Sequence, residues 1–388
     1  MLSTRLLMLS SLALMAAATM AQANTLTKDV EELRLPLASK TMPRIVDRYQ
    51  DVTEGLNNKL SSATDELAIT QMVANEGHRL WLQAVKDLQS GHTDDRALYW
   101  SRLMMRESLK TQRVGYNIAP WQREILVSAI EKTSRGFSDI HFKTDTRIKI
   151  LLTGFDPFFL DKDIGQSNPS GVTALALDGY QFNIDGKIAQ IETVMIPVRF
   201  ADFDKGIIES LLTPIYRDNS VDMIFTVSMG REQFDIERFP ARNRSADAPD
   251  NLNVLTGASK TNPLPPMLNN QPLTGPEFVE FSLPIAAMQK EKGHWQVNDN
   301  HQVSTIDRGQ FEAKSLNELQ NETSVEGSGG GYLSNEISYR SILLMQQFGR
   351  NIPVGHIHTP KVKGYDSQAE HDIVEQIKVM ITAAAASL

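Results

Sequence analysis

From residue 147 onward, the chain alternates short apolar segments with segments of helical periodicity. RIKILLTGF, IETVMIPVRF, VDMIFTVSMG and IPVGHIHTP are rich in β-branched and apolar residues, as buried strands are. SYRSILLMQQFG and SQAEHDIVEQIKVMITAAA repeat apolar residues at helical spacing instead. Strands that alternate with helices form sheets covered on both faces. We therefore predict a three-layer α/β domain with an open twisted sheet over residues 147–388.

A loop-rich insertion is predicted within this domain, at about residues 240–325. Its segment NPLPPMLNNQPLTGP contains five prolines, and proline removes a backbone donor and restricts the chain. Long regular elements are therefore not expected there.

Residues 24–146 are polar and mainly helical in pattern. In DELAITQMVANEGHRLWLQAVKDLQ the apolar residues fall on one helix face; these are Ile69, Met72, Val73, Leu80, Ala84 and Leu88. We predict an accessory helical layer packed on the main domain and outside the active site. The alternative is a lid or partner-binding domain.

The first 23 residues resemble a secretory signal. Arg5 supplies a positive charge, Leu6 to Ala18 form a short apolar run, and Ala21-Gln22-Ala23 fits a cleavage site. The run is too short for a comfortable membrane span. We predict cleavage after Ala23 and a periplasmic or secreted protein without a transmembrane segment.

Charge and cysteine content exclude several classes of function. The net charge is -8 and the chain has no Lys/Arg cluster, which argues against nucleic acid or an anionic membrane as partner. The chain contains no cysteine, so disulfides and every mechanism based on a thiol are excluded. Nothing in the composition indicates a particular oligomeric state.

Four motifs occur in the order of a known family. They are LLTGFDPF followed by NPS at residues 168–170, MGREQFDIERFPARN followed by APDN, GGGYLSNEISY, and GHIHTP. Together they resemble the pyroglutamyl peptidase I family (pyrrolidone-carboxylate peptidases). The resemblance runs from about residue 147 to the end, and the N-terminal region has no counterpart in that family.

The resemblance implies a phosphorylase/hydrolase-like fold and a peptidase that removes an N-terminal pyroglutamyl residue from peptides, without metal or cofactor. The family uses a Cys-His-Glu triad, whose positions correspond here to Ser334, His358 and Glu237. Because oxygen is less acidic than sulfur, His358 would have to act as a true general base. The other implied site residues are Phe155 and Phe158 beside the substrate ring, Asn168 as a substrate contact, and the backbone of Gly330 and Gly331 at an oxyanion.

The chain also departs from the family pattern. Serine replaces the nucleophilic cysteine, Phe159-Leu160 replaces a Gly-Gly pair, and Asp247 stands where the family has an arginine beside the catalytic groups. Arg242 and Arg244 are the nearby candidates to replace that arginine.

Three alternative interpretations of these residues remain open. Ser334 stands where a helix begins, and serine is also among the best N-cap residues. If Ser334 is a nucleophile, the chain is a hydrolase. If Ser334 is only a cap, the chain is a catalytically inactive homologue that binds a peptide or small molecule. A third hypothesis is a metallohydrolase that uses His356 and His358, since alternate residues of a strand share one face.

Overall fold

A computed structural model describes residues 25–291 and 293–388. The predicted signal segment, residues 1–23, lies outside the described residues. The predicted α/β architecture is confirmed, and the N-terminal region is helical as expected.

The central sheet has seven strands. In chain order they are β1 (Thr146–Phe155), β2 (Gln181–Ile184), β3 (Lys187–Ile196), β4 (Met223–Met229), β5 (Phe234–Glu237), β8 (Val297–Asn300) and β12 (Val354–Thr359). Their order across the sheet is β2-β3-β1-β4-β12-β5-β8. The four strands predicted from apolar runs form its parallel centre, β3-β1-β4-β12. At one edge β2 runs antiparallel to β3, and on the other side β5 runs antiparallel to β12.

Helices cover both faces of the sheet and give the three layers. On one face, α8 (Pro169–Leu177) packs on β1 and β3, and α13 (Ser367–Ala385) packs on α8. On the other face, α12 (Leu333–Gln347) packs on β12 and β4, with α10 (Ile207–Asp218) beside it. Two short helices, α9 (Phe200–Asp204) and α11 (Ile285–Met288), complete the domain.

Residues 25–146 of the N-terminal region form seven helices. The short ones are α1 (Val30–Leu33), α2 (Leu35–Thr41) and α3 (Pro43–Val46), and a 3-10 turn at Asp47–Tyr49 leads into α4 (Gln50–Leu60). The long ones are α5 (Glu66–Gln89), α6 (Arg96–Thr111) and α7 (Pro120–Thr133). The predicted apolar face of α5 is turned inward, with Met72 partly buried and the other five residues buried. Because α5 also contacts α8, this region is a further layer on the α/β domain.

The insertion is irregular at its start but not throughout. The proline-rich part carries only two short paired strands, β6 (Met267–Leu268) and β7 (Gln271–Pro272). It then supplies β8 to the central sheet and a separate three-stranded sheet of β9 (Gln302–Thr305), β10 (Gly309–Glu312) and β11 (Ser324–Glu326), with a 3-10 turn at Leu316–Leu319. Strands of three or four residues are too short for a periodicity signal, so the sequence did not predict them.

Buried ion pairs join the helical region to the α/β domain. Asp156, which follows β1, lies between Arg102 at 2.9 Å and Arg135 at 2.6 Å, and all three side chains are at most 2% exposed. Arg199 pairs similarly with Glu31 at 2.9 Å and Glu131 at 2.8 Å. Since an uncompensated buried charge costs several kcal/mol, roughly 3–5, these pairs hold the two regions in one arrangement.

None of the helices within residues 25–291 and 293–388 combines the length and apolar character needed to cross a bilayer.

Candidate active site

Glu237 and His358 meet across the antiparallel pair of β5 and β12. His358 is paired with Asp235, so Glu237 is its diagonal neighbour on the same face of the sheet. Glu237 Oε1 contacts His358 Nδ1, and both side chains are buried. Burial raises the pKa of Glu237, while the contact with His358 opposes this rise. A carboxylate at Nδ1 holds the ring proton there and leaves Nε2 as the basic nitrogen.

Asn300 completes the environment of this carboxylate. Its side-chain amide donates to Glu237 Oε2 at 2.8 Å and to the Ser328 carbonyl at 3.0 Å. Both carboxylate oxygens of Glu237 are therefore occupied. Asn300 ends β8, inside the insertion where the sequence predicted loops, and nothing in the sequence distinguished it from a surface asparagine.

Ser334 is not the cap of α12. The helix begins at Leu333 and its N-cap position is Tyr332, so Ser334 is the second helical residue and the N-cap interpretation is wrong. Its half-buried hydroxyl donates to the Gly329 carbonyl at 3.3 Å. Among the described residues Ser334 makes no hydrogen bond to His358, and Nε2 of that histidine has no partner.

Two of the three glycines before α12 are required for different reasons. Gly330 has a φ of 85°, and its amide donates to the Gly327 carbonyl at 2.9 Å. A Cβ on Gly331 would lie 1.9 Å from Ser245 Oγ and 3.0 Å from the Ser245 amide nitrogen, so a side chain there would displace Ser245. The amides of Gly331, Leu333 and Ser334 have no acceptor in the described part of the chain. They lie at the start of α12, where backbone donors and the helix dipole favour a negative charge.

A cavity of about 270 Å³ opens in front of Ser334. Among the described residues, none of those lining it is charged, and most are apolar or aromatic. The predicted Phe155, Phe158 and Asn168 are in this lining, together with Phe159, Val198, Ser228, Met229, Gly230, Ala246, Ala248, Tyr332 and Leu333. We call this space the first cavity.

Phe159 is a lining residue that sequence reasoning did not assign. Its φ is 60°, which is strained for a bulky residue, and its ring lies 4.5 Å from that of Phe158, measured between centroids. The available signal was the replacement of a family Gly-Gly pair by Phe159-Leu160. An aromatic side chain held in a conformation that glycine adopts freely narrows the first cavity.

Asn168 has a structural role as well as its place in the cavity wall. It caps α8, where its Oδ1 accepts from the Ser170 amide at 3.1 Å, and its Nδ2 donates to the Asp156 carbonyl at 2.9 Å. Its own amide donates to the Asp95 carboxylate at 3.2 Å.

A second cavity of about 330 Å³ lies on the other side of Gly230, which lines both spaces. Its wall includes His358, the loop 327–330 and the three-stranded sheet of the insertion. A Cβ on Gly230 would lie 2.6 Å from Cβ of His358. At Gly230 the wall shared by the two cavities is therefore backbone without a side chain, directly beside the histidine.

His356 does not act with His358 as a metal-binding pair. Its ring is fully buried, with Nδ1 2.8 Å from Thr226 Oγ1 and Nε2 2.7 Å from Ser228 Oγ. Burial holds the pKa of His356 well below its usual value. Within the residues that the structure describes, no cluster of three or more potential metal ligands occurs. Both nitrogens serve the protein interior, so the geometry does not support the metallohydrolase hypothesis.

The expectation that Arg242 or Arg244 replaces the family arginine is wrong. Arg244 is buried and donates to Glu336 at 2.6 Å and to Asp204 at 2.8 Å. Arg242 pairs with Glu277 and donates to the Gly275 carbonyl at 2.9 Å. Neither guanidinium lines the first or the second cavity.

Two family models match the chain. The model described as PA0049, C-terminal domain matches residues 149–316 and 289–363, and the PA0049 N-terminal domain model matches residues 13–131. The chain belongs to the PA0049 family. A relative with the name Uncharacterized protein PA0049, from Pseudomonas aeruginosa, is 27% identical over 391 residues, covering 76% of this chain and 70% of that protein.

Solved structures of pyrrolidone carboxyl peptidase from the hyperthermophile Pyrococcus furiosus are also similar to this PA0049-family chain. One mutant of that peptidase has 24% sequence identity and a TM-score of 0.42, covering 62% of this chain and 100% of the peptidase. The structure described for the peptidase and its cys-free mutant has 24% identity and a TM-score of 0.41, with coverages of 62% and 99%. Scores this low support no inference about activity.

Proposed function

We propose that this protein is a hydrolase that cleaves the amide bond after a blocked N-terminal residue, with Ser334 as nucleophile, His358 as general base and Glu237 as the group that orients the base. The observation that carries the proposal is the buried contact of Glu237 with His358 Nδ1, together with Gly230, which lines both the cavity of Ser334 and the cavity of His358. The motif resemblance to pyroglutamyl peptidase I agrees with the same three residues.

Catalysis requires Ser334 to turn from the Gly329 carbonyl toward His358. The bond it gives up is long, 3.3 Å, and a neutral hydrogen bond contributes only about 0.5–1.5 kcal/mol net. Catalytic hydrogen bonds are often long or misaligned before substrate binds. Giving up the contact with Gly329 therefore costs Ser334 little free energy.

The start of α12 is suited to the negative charge of a tetrahedral intermediate. Since the Gly330 amide is already used, the proposed donors are the amides of Gly331, Leu333 and Ser334. Each oxyanion donor typically lowers the barrier by about 3 kcal/mol.

The first cavity favours an uncharged acyl group. A free α-ammonium would lose its water in a lining without a carboxylate, which is costly for an unpaired charge. A lactam such as pyroglutamyl, or another blocked residue, avoids this cost. Asn168, in the lining of this cavity, is the proposed contact of the lactam carbonyl oxygen.

One observation favours a second candidate, a non-catalytic binding protein with the same cavities. Ser334 Oγ is directed to Gly329, without a hydrogen bond to His358 among the described residues. Such a protein would bind a blocked peptide in the first cavity without cleaving it.

Substitution at Ser334 separates the two candidates. A hydrolase should release the amine from a panel of blocked dipeptides, and Ser334→Ala and His358→Ala should each abolish release. Ser338→Ala is the matched control, because Ser338 is buried one turn later on α12 and its hydroxyl has no partner in the structure. If the native protein cleaves none of these dipeptides and Ser334→Cys does cleave them, the protein is a non-catalytic binding protein and the hydrolase proposal is wrong.

We also propose that the protein is exported to the periplasm or secreted, on the pattern of residues 1–23. Protein isolated from its native host should then begin at Asn24 by mass spectrometry. A chain that begins at Met1 would contradict export.

A further inference from the structure

The second cavity differs in chemistry from the first. Its lining is polar and contains two cationic side chains, Arg231 and Lys260, against one acidic side chain, Glu326. Lys260 is paired with Glu326 at 3.0 Å, whereas the exposed guanidinium of Arg231 has no hydrogen-bond or ion-pair partner among the described residues. The wall of this cavity thus has a local excess of positive charge, although the net charge of the whole chain is -8.

If the proposed function holds, its catalytic chemistry assigns the second cavity to the leaving group. Ser334 Oγ attacks the amide carbon, its proton passes to His358, and the C–N bond breaks as His358 gives that proton to the leaving nitrogen. Water then releases the acyl group from Ser334. The leaving amine must therefore lie at the histidine, and His358 lines the second cavity while the acyl group fills the first.

We propose that the second cavity binds a free C-terminal carboxylate on the leaving part of the substrate, and that Arg231 is its main contact. A guanidinium offers a rigid fork of donors that matches a carboxylate, which makes Arg231 better suited than Lys260. Since Lys260 is already engaged with Glu326, it adds a weaker, longer-range attraction. The proposal therefore names short blocked peptides with a free C-terminus as the substrate class, in preference to long chains or peptide amides.

The geometry of the insertion supports a short leaving group. The cavity is closed on one side by the three-stranded sheet, through Val303, Gln302 and Gln310, and on another by the loop 327–330. At about 330 Å³ it lies near the lower end of the range for small-molecule sites. A site of this size suits the end of a short peptide.

Two probes that differ only at the C-terminus test the proposal, pyroglutamyl-alanine as free acid and pyroglutamyl-alaninamide. The native protein should have a KM about tenfold lower for the acid than for the amide, as a charge-assisted hydrogen bond implies. Arg231→Gln should remove this preference by raising the KM of the acid to that of the amide, and added salt should weaken the preference in the native protein. Arg217→Gln is the control, because Arg217 is an exposed arginine on α10 paired only with its neighbour Asp218.

Binding of the same two probes to Ser334→Ala, measured by calorimetry, separates this inference from the proposed activity. Tighter binding of the acid that Arg231→Gln abolishes supports the carboxylate site, even if the native protein cleaves neither probe and the hydrolase proposal fails. Equal affinity for acid and amide, or a preference that survives Arg231→Gln, overturns the carboxylate site whether or not cleavage occurs.

Discussion

At the scale of single residues, Asn300 connects the insertion to the candidate catalytic pair. Its amide holds Glu237 Oε2 while Oε1 contacts His358, so the carboxylate cannot rotate without breaking one of the two contacts. Asn298 makes the corresponding contact to Asp235 at 2.9 Å, two residues earlier on each strand and outside the triad. The two asparagines thus form a natural matched pair.

Asn300→Ala should lower kcat by about 10- to 100-fold, since a hydrogen bond to a charged group contributes about 1.5–3 kcal/mol and about 1.4 kcal/mol is a factor of ten in rate. Steady-state kinetics on a blocked dipeptide measures this loss. Asn298→Ala should leave kcat unchanged. Equal effects of the two substitutions would show that Asn300 has no special relation to the triad.

Glu370 is a buried acid whose titration should be visible in stability. Burial raises its pKa to about 8, its Oε1 contacts Ser167 Oγ, and its Oε2 has no partner in the structure. Asp94, Asp366 and Arg96 act on it electrostatically, and Glu370 in turn contributes to the raised pKa of buried Asp95. The folded state therefore keeps a proton that the unfolded chain releases near its ordinary value of 4.5.

Stability should accordingly fall as pH rises from about 4.5 to about 8, because over this window the folded state binds more protons than the unfolded state. Glu370→Gln mimics the protonated acid and should flatten that part of the profile, with its largest gain at the upper end. Urea denaturation at a series of pH values gives the measurement. A Glu370→Gln profile parallel to that of the native protein would contradict the assignment.

At the scale of elements, the glycines of the loop before α12 differ in how strongly the fold requires them. Gly330 adopts a left-handed φ with open space around its Cα, so a side chain there is opposed by backbone strain alone. Gly329 has no positive φ, and a Cβ there would make ordinary contacts of 3.4 Å or more with Asn335. The same substitution should thus act differently at adjacent positions.

Gly330→Ala should cost about 1–2 kcal/mol of stability, the usual cost of a left-handed L-residue, while Gly329→Ala should be close to neutral. Chemical denaturation of both variants compares them directly. If Gly329→Ala were the more damaging of the two, the described conformation of this loop would be wrong.

At the scale of the whole molecule, the helical region supports the first cavity from behind without lining it. All residues that line this cavity come from Phe155 onward. Asp95 holds the backbone of Asn168, and Arg102 with Arg135 holds Asp156 between Phe155 and Phe158. The prediction of an accessory layer outside the active site agrees with this arrangement, although the layer fixes the positions of residues in the cavity wall.

Asp156→Asn should leave two buried guanidinium groups without their carboxylate and cost about 3–5 kcal/mol of stability. It should also raise the KM for blocked dipeptides, because the loop of Phe158 loses its anchor. Denaturation and steady-state kinetics test the two effects. Asp218→Asn, at an exposed ion pair, should change neither quantity. Unchanged stability in Asp156→Asn would show that these ion pairs do not join the two regions.

The sequence by itself determined the elements that carry a strong periodic signal. The four parallel strands and the helices α5, α12 and α13 follow from apolar spacing. These features are local, so a window of ten to twenty residues contains their cause. Ser334, His358 and Glu237 were identified only through the order of the motifs.

Tertiary structure alone decided what those residues touch. Glu237 and His358 are 121 positions apart and meet because four-residue β5 runs antiparallel beside β12, a pairing that no local pattern encodes. His356 and His358 are equivalent in the sequence, yet contacts from β4 occupy both nitrogens of the first and leave the second facing a cavity. Short strands and side-chain partners depend on neighbours distant in the chain, and only the packed sheet brings those neighbours together.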